Sequence, residues 1–304
     1  MSKLTSMTDA IAQYVPDGSS VAIGLALEPF IPFAASHEII RQQRRNLTLI
    51  GPISDILFDQ LIGAGCVAKV KAAWVGNVSE GLAHCYRRAI EQSIPHSLVT
   101  EEYSNFTIGL ALLAGSLGVP YIPTRSLLGS DLPRQNPTFS QQQSPLDASP
   151  LLLVPAVQPD VTIIQVQRSD IEGNAHLWGS LGICEEAMLA ARNVILVAEE
   201  IVSHEIILSD PNRVVGPSFK VRAVVHDPWG AHPSAVSGYY NRDHQFYHEY
   251  HTRTRTAEGF QQWLDEWVLN LPNRNAYVLK LGKERLQNLG VKEHRFAAPV
   301  DYGY

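Results

Sequence analysis

An α/β fold built on an open, mostly parallel sheet with helices on both faces is the architecture this sequence predicts, and three observations carry it. Apolar strand-like runs alternate with segments of helical spacing through the first half of the chain. Several of those runs are continuously apolar, as in strands covered on both sides. The helical segments end in recognisable stop signals, Gly118 with Pro120 just beyond it being the clearest.

The elements follow in order. Ser19 to Gly24 is a short apolar run entered through Asp17-Gly18 and reads as a buried strand. Phe33 to Arg45 has helical spacing, with Ala34, Ile39 and Ile40 apolar. Asn46 to Ile50 is the next strand, and Ser54 is a candidate N-cap for a helix through Ile62. Val67 to Val75 reads as a strand, Leu82 to Gln92 as a helix and Ser97 to Val99 as a short strand. Thr107 to Leu117 is a helix of small residues, and a proline-bounded strand follows it. Thr124 to Leu151 holds Pro133, Pro137, Pro145 and Pro150 and reads as a long irregular excursion, of the kind often found as a lid or binding segment. Val161 to Val166, Asn193 to Val197 and Val221 to Val225 are strands, with a helix over Gly179 to Ala191. From Asn241 onward the chain reads as a polar, mainly helical tail. In it Trp263 and Trp267 lie one turn apart, as packing residues do.

Composition narrows the function. The chain has 304 residues, 45% of them hydrophobic, and a formal net charge of −6, enough apolar material for a large core. Basic residues are outnumbered and form no long run, so nucleic acid is not an expected partner; Gln42-Gln43-Arg44-Arg45 reads as a solvated helix end. Cys66, Cys85 and Cys184 are few and far apart, which favours a reducing compartment. The N-terminus lacks the apolar centre of a signal peptide, and no apolar run approaches the roughly 20 residues that span a bilayer. The expectation is a cytoplasmic protein with no membrane partner.

Standard catalytic motifs are missing. There is no GxGxxG after a strand, no phosphate-binding P-loop, no GxSxG elbow and no HExxH. His244, His248 and His251 share one helix face, but no fourth ligand is indicated, so a solvated or partner-facing surface is expected and no metal site.

Polar chemistry concentrates between Thr100 and Leu132. Glu101 and Glu102 precede a helix that Ser104 or Asn105 can cap, and the helix N-terminus favours an ionised carboxylate beside it. Beyond the next strand come Thr124-Arg125-Ser126 and Gly129-Ser130-Asp131. Arg125 is a candidate anion clamp, with a structural ion pair as the competing reading. In parallel α/β sheets ligands bind beyond the carboxyl ends of strands, where both clusters can lie. A second segment, Val166 to Gly182, leads through the turn Gly173-Asn174 towards a helix.

In the order and spacing of these pieces the sequence resembles the α subunits of family I CoA transferases, in particular the glutaconate CoA-transferase-like branch. The pieces are Val21-Ala22-Ile23-Gly24, Glu101 to Phe106, Gly118-Val119-Pro120, Pro123-Thr124-Arg125, Gly129-Ser130-Asp131, Asp170 to Asn174 and Gly230-Ala231-His232-Pro233, between about residues 8 and 270. The resemblance implies an α-type domain over 1–240, with 241–304 as a helical extension packed on it. It also implies a β-type partner in an α2β2 assembly, and a coenzyme A thioester as substrate with no permanently bound cofactor. In such enzymes a glutamate attacks the acyl-CoA carbonyl, an acyl-glutamyl anhydride and then a glutamyl-CoA thioester form, and CoA passes to a second carboxylate. That glutamate usually stands in a Ser-Glu-Asn-Gly context on the β-type chain, and this sequence has none. The resemblance therefore gives this chain the acyl site and oxyanion donors. Glu102 is its expected catalytic residue, and Gly24, Glu101, Ser104, Asn105, Arg125, Gly129 and Ser130 its expected substrate-binding residues. A Gly-Gly-Phe-Gly-type loop common in the family is replaced here by Gly24-Leu25-Ala26-Leu27-Glu28-Pro29. A related branch resembles hydrolases that open steroid rings as CoA thioesters with an α-chain glutamate as base. The rival from another class is a non-catalytic anion-binding or scaffold protein on the same fold.

Overall fold

The computed structural model describes residues 2–291, and the last part of the predicted tail lies outside them. The main sheet has eight strands. Seven run parallel in the order β11-β10-β8-β1-β2-β3-β4, and β9 (Ala175–His176) pairs antiparallel with β8. The first four, β1 (Ser20–Ile23), β2 (Leu47–Gly51), β3 (Val67–Ala72) and β4 (Val99–Glu102), build outward in one direction. The others, β8 (Val161–Ser169), β10 (Asn193–Ile201) and β11 (Val221–His226), build in the opposite one. The order thus reverses between β1 and β8, the switch point at which such sheets open a crevice.

Strand alternation sends side chains into two cores. Val21 and Ile23 of β1, Leu49 of β2 and Ile195 and Val197 of β10 join one cluster; Ala22, Ile50, Leu196 and Ala198 join the other. The first is covered by α1 (Met7–Tyr14), α2 (Phe33–Arg41), α3 (Asp55–Gly63), α4 (His84–Gln92) and the C-terminal helices. The second lies under α5 (Asn105–Leu117), α7 (Cys184–Ala190) and a small antiparallel sheet. Both faces of the central strands are therefore dry, which is why β1, β2, β8 and β10 read as continuous apolar runs, while β4 at the edge stays largely exposed.

The predicted excursion is more ordered than its composition suggests. It holds a short helix, α6 (Leu132–Gln135), and two strands, β6 (Ser140–Gln143) and β7 (Pro150–Pro155), which pair with β5 (Tyr121–Thr124) in the order β5-β7-β6. β6 is polar and exposed throughout, so it carries no apolar signal; its partner β7, with Leu152 and Val154 buried, supplies the anchor. The helix expected over Gly179 to Ala191 starts only at Cys184, because Gly179 to Gly182 forms a loop with two left-handed glycines.

A short helix, α8 (His204–Leu208), separates β10 from β11, and the tail is helical through α9 (His244–Arg253), α10 (Ala257–Leu264), a π-helical turn (Asp265–Leu269), α11 (Arg274–Leu281) and α12 (Lys283–Leu289). Trp263 and Trp267 both pack as expected, each against the Phe246 ring, at 6.2 and 5.0 Å between centroids. The tail is locked by a buried polar chain. His232 Nε2 donates to Asp243 (2.9 Å), which leaves Nδ1 to accept from the Tyr277 hydroxyl (2.8 Å). Arg285 clamps the same carboxylate with two hydrogen bonds, at 2.5 and 3.0 Å. Burial holds His232 down at about 4, in the neutral form this arrangement requires. His248 meets Glu80, the His251 ring lies on His84, and no metal-binding group of three is found among the described residues.

Candidate functional site

The carboxyl ends of β1 to β4 form one edge of the main sheet; Gly24, Glu101 and Glu102 stand on it and Ser104 and Asn105 just beyond it, whereas Arg125, Gly129 and Ser130 follow β5 of the small sheet. Gly24 ends β1 with φ +70°. A Cβ there would stand 2.5 Å from Ser54 Oγ, so the position needs glycine on two counts. Ser54 sits where the helix cap was predicted, but with φ +53° and no cap bond; its hydroxyl instead donates to Ile23 O at 2.8 Å. The side chain that was to cap a helix thus ties β2 to the end of β1.

Leu25 and Ala26, where the resemblance leads one to expect glycines, are buried. Leu27 and Phe30 take left-handed backbone without being glycine, at φ +70° and +58°. Strain of that kind persists only where the surroundings enforce it. Here Gly182 admits the loop, since any side chain there would collide with Leu25 O, and Ile183 N donates to that carbonyl at 3.1 Å.

The two glutamates are sorted by the pleat. Glu101 stands opposite Lys71 in the β3–β4 register, is buried, and pairs with Lys71 (2.9 Å) and with Lys69. Burial pushes its carboxyl up, but hydrogen bonds from Lys69 and Lys71 overcome this and hold it below the ordinary value. Glu102 points to the other face, exposed, and no side-chain hydrogen bond or ion pair ties it among the described residues. It lines a cavity of about 270 Å³ with Val70, Trp74, Val75, Tyr86 and Thr100, and Glu101 contributes to the same wall. Trp74, Val75 and Tyr86 are shared with a second, apolar hollow of about 340 Å³ that runs on to Leu82 and Ile90. Burial, and next the nearby Glu102 charge, raise the Tyr86 phenol.

Ser104 caps α5, its Oγ accepting from Thr107 N (3.1 Å) while Thr107 Oγ1 accepts from Ser104 N (2.9 Å). Asn105 is exposed on the first turn. Arg125 is engaged as a surface ion pair, bonding Asp147 (3.0 Å) and Ser149 (2.7 Å). Gly129 faces open space at φ +90°, and Ser130 Oγ donates to Leu127 O at 2.8 Å. None of these three touches Glu102. The excursion reaches Glu102 through other residues: Asn136 Nδ2 donates to Glu102 O (2.9 Å), and the Phe139 ring meets Tyr103 edge-on at 5.3 Å.

Sequence reasoning did not single out Trp74, Tyr86, Asn136 or Phe139. Asn136-Pro137 is a turn signal that it read only as irregularity. Trp74 and Tyr86 carried no motif at all. Gly24 and Glu102 stand three strand spacings apart along the edge, about 14 Å at the usual separation. The edge therefore suits an extended ligand.

Fold and edge together define an open α/β protein built on a mostly parallel, doubly covered sheet. The chain belongs to the Coenzyme A transferase family, whose pattern it matches over residues 4–227. It is 39% identical to a 3-oxoadipate CoA-transferase subunit of Pseudomonas knackmussii, over 93% of this chain and 99% of that one. It is 33% identical to a glutaconate CoA-transferase subunit of Acidaminococcus fermentans, over 96% and 95%. The crystal structure of that transferase superposes with a TM-score of 0.88 at 32% identity, over 96% of each chain. The cholesterol ring-cleaving hydrolase IpdA subunit of Mycobacterium tuberculosis is 26% identical over 88% and 93%. The chain is thus a subunit of a family I CoA-transferase, an enzyme acting on CoA thioesters. None of its described helices is long and apolar enough to cross a membrane.

Proposed function

We propose that this chain is the α-type half of an α2β2 enzyme that moves CoA from an acyl-CoA thioester to a free carboxylate, with the nucleophilic glutamate on the β-type partner. The partner's carboxylate displaces CoA thiolate from the acyl group. The thiolate then attacks the resulting anhydride at its glutamyl carbonyl, releasing the first acid and leaving a glutamyl-CoA thioester. A second carboxylate takes over CoA through the same steps in reverse. The observation that carries this chain's share is the unpaired Glu102 carboxylate in the wall of the cavity at the end of β4. Its neighbour Glu101 is held by two lysines and braces the strand beneath it. In this reading Glu102 is the chain's own acid–base group, and the acyl chain lies along Trp74 and Tyr86. Asn105 and the first turn of α5 supply donors, Gly24 lets the ligand approach the backbone, and Arg125, Gly129 and Ser130 form the outer rim. Residues 241–304 belong to the same domain.

A second reading is favoured by the same free carboxylate and by the likeness to the ring-cleaving hydrolase: Glu102 activates water, and no acceptor acid is needed. Co-expression with a β-type chain, followed by assays of CoA exchange between acyl-CoA and free carboxylates, separates the two. Exchange that needs the acceptor supports transfer; release of free CoA without one supports hydrolysis. Glu102→Gln is expected to lower kcat by well over tenfold with stability unchanged in either case. Full activity in that variant would favour a scaffold role for the chain and sink the assignment of Glu102.

A further inference from the structure

The family match ends at residue 227, yet the tail beyond it sends one side chain to the carboxyl edge. Arg242 Nη2 donates to Asp55 Oδ2 at 2.5 Å and to Ser79 Oγ at 3.1 Å, and its guanidinium lies 3.6 Å from the centre of the Tyr247 ring. Asp55 is wholly buried and Arg242 is 9% exposed. The other Asp55 oxygen accepts from Ile56 N (2.9 Å) and Val78 N (3.1 Å). Asp55 follows Ser54, both residues have left-handed backbone (φ +46° and +53°), and Ser54 Oγ holds the carbonyl of Ile23 beside Gly24. One ion pair thereby joins the β1 loop, the β2–α3 turn, the loop after β3 that carries Trp74, and the start of α9.

We infer that Arg242 is a positioning residue for the acyl-CoA site: through Asp55 it fixes the strained turns that shape the edge from Gly24 to Trp74. This rests on the reading of that edge as the site of CoA transfer. Two consecutive left-handed residues, neither of them glycine, relax unless they are held, and Asp55 is the only side chain of the pair that reaches the tail. Arg242 Nη1 is buried and unpartnered, so the guanidinium is set by what it holds in place and not by its own complete satisfaction. Both bonds leave the one nitrogen, so a lysine could keep them; what it loses is the planar guanidinium stacked 3.6 Å from the centre of the Tyr247 ring.

The test uses the full-length chain co-expressed with its β-type partner. Arg242→Ala is expected to lower kcat/KM for CoA exchange at least tenfold, mainly through a raised KM for acyl-CoA, and to speed amide exchange in residues 24–30 and 52–55. Arg242→Lys recovers only part of the rate, and millimolar guanidinium partly restores the alanine variant. Trp263→Leu loosens the same tail in its apolar core, away from the edge. It is expected to match the fall in Tm while keeping kcat/KM within twofold. If Trp263→Leu loses as much activity as Arg242→Ala, or if Arg242→Ala keeps wild-type kcat/KM, the inference is overturned and Arg242 is a structural tether alone. A wild-type complex that exchanges no CoA would instead refute the functional reading on which the inference rests.

Discussion

Glu199 shows how far burial governs single residues here. Its side chain lies in the core between β8 and β10, accepting from Gln165 Nε2 (2.8 Å), the Tyr240 hydroxyl (2.5 Å) and Trp229 N (2.7 Å). Burial pushes its carboxyl up, the hydrogen bonds from Tyr240 and Trp229 pull it only part of the way back, and it stands at about 7. A carboxyl whose folded value exceeds its unfolded one stabilises the fold fully below the unfolded value, about 4.3. That contribution is lost as pH rises through the folded value. The stability of wild type relative to Glu199→Gln is therefore expected to fall by about 3 kcal/mol between pH 4 and pH 8. Urea unfolding of both proteins at several pH values measures it, and a pH-independent difference would show that the three donors offset the cost of burying the charge. The same logic with the opposite sign applies to Glu101, whose lysine partners make its contribution largest above the ordinary glutamate range.

Among the elements, the loop after β1 joins sequence to site most directly. Gly24→Ala must force a left-handed alanine and press its methyl into Ser54, whose Cα lies 3.0 Å from the added carbon. The expected loss of stability is about 2 kcal/mol or more. The KM for acyl-CoA should rise as well, because the turn that Ser54 holds has to move; unchanged Tm and KM together would refute this. β1, β2, β8, β10 and β11 could be read because each is apolar on both faces, and α5 because its cap and its glycine stop are local signals. β6 could not, since Ser140 to Gln143 is entirely polar and its place is set by pairing with β7. The acidic pair at the end of β4 was legible as chemistry, but which carboxylate stays free was not. That depends on the register that sets Glu101 opposite Lys71. Trp74, Tyr86 and Arg242 were illegible for a plainer reason. They arrive from distant segments, Arg242 from 187 positions beyond Asp55, and no local pattern marks them.

For the whole molecule, the question is whether the helical tail is an appendage or part of the fold. Ten of its side chains, among them Phe246, Tyr250, Trp263 and Tyr277, lie in the core cluster that also holds the inner faces of β1, β2 and β3. Ending the chain at residue 240 would also remove the cost of ordering the described tail, 241–291, so the apolar area it buries does not decide the outcome alone. What decides it is the surface left behind. Every residue of α2 from Phe33 to Ile40 and of α3 from Asp55 to Ile62 is buried, and the tail supplies much of that cover. Asp55 would lose Arg242, Asp59 would lose the Tyr250 hydroxyl (2.6 Å), and His232 would lose both Asp243 and Tyr277. A buried charge or polar group stripped of its partner costs about 1–3 kcal/mol and more when it is ionised, against a net stability of about 5–15 kcal/mol for an ordinary domain. A chain ending at residue 240 is therefore expected to lack a fixed tertiary near-ultraviolet signal and to unfold without a cooperative transition, whereas the full chain unfolds in one step. A cooperative 1–240 chain would mean that the parallel sheet closes its first core without the tail, and the hold of Arg242 on the edge would then have to be independent of folding.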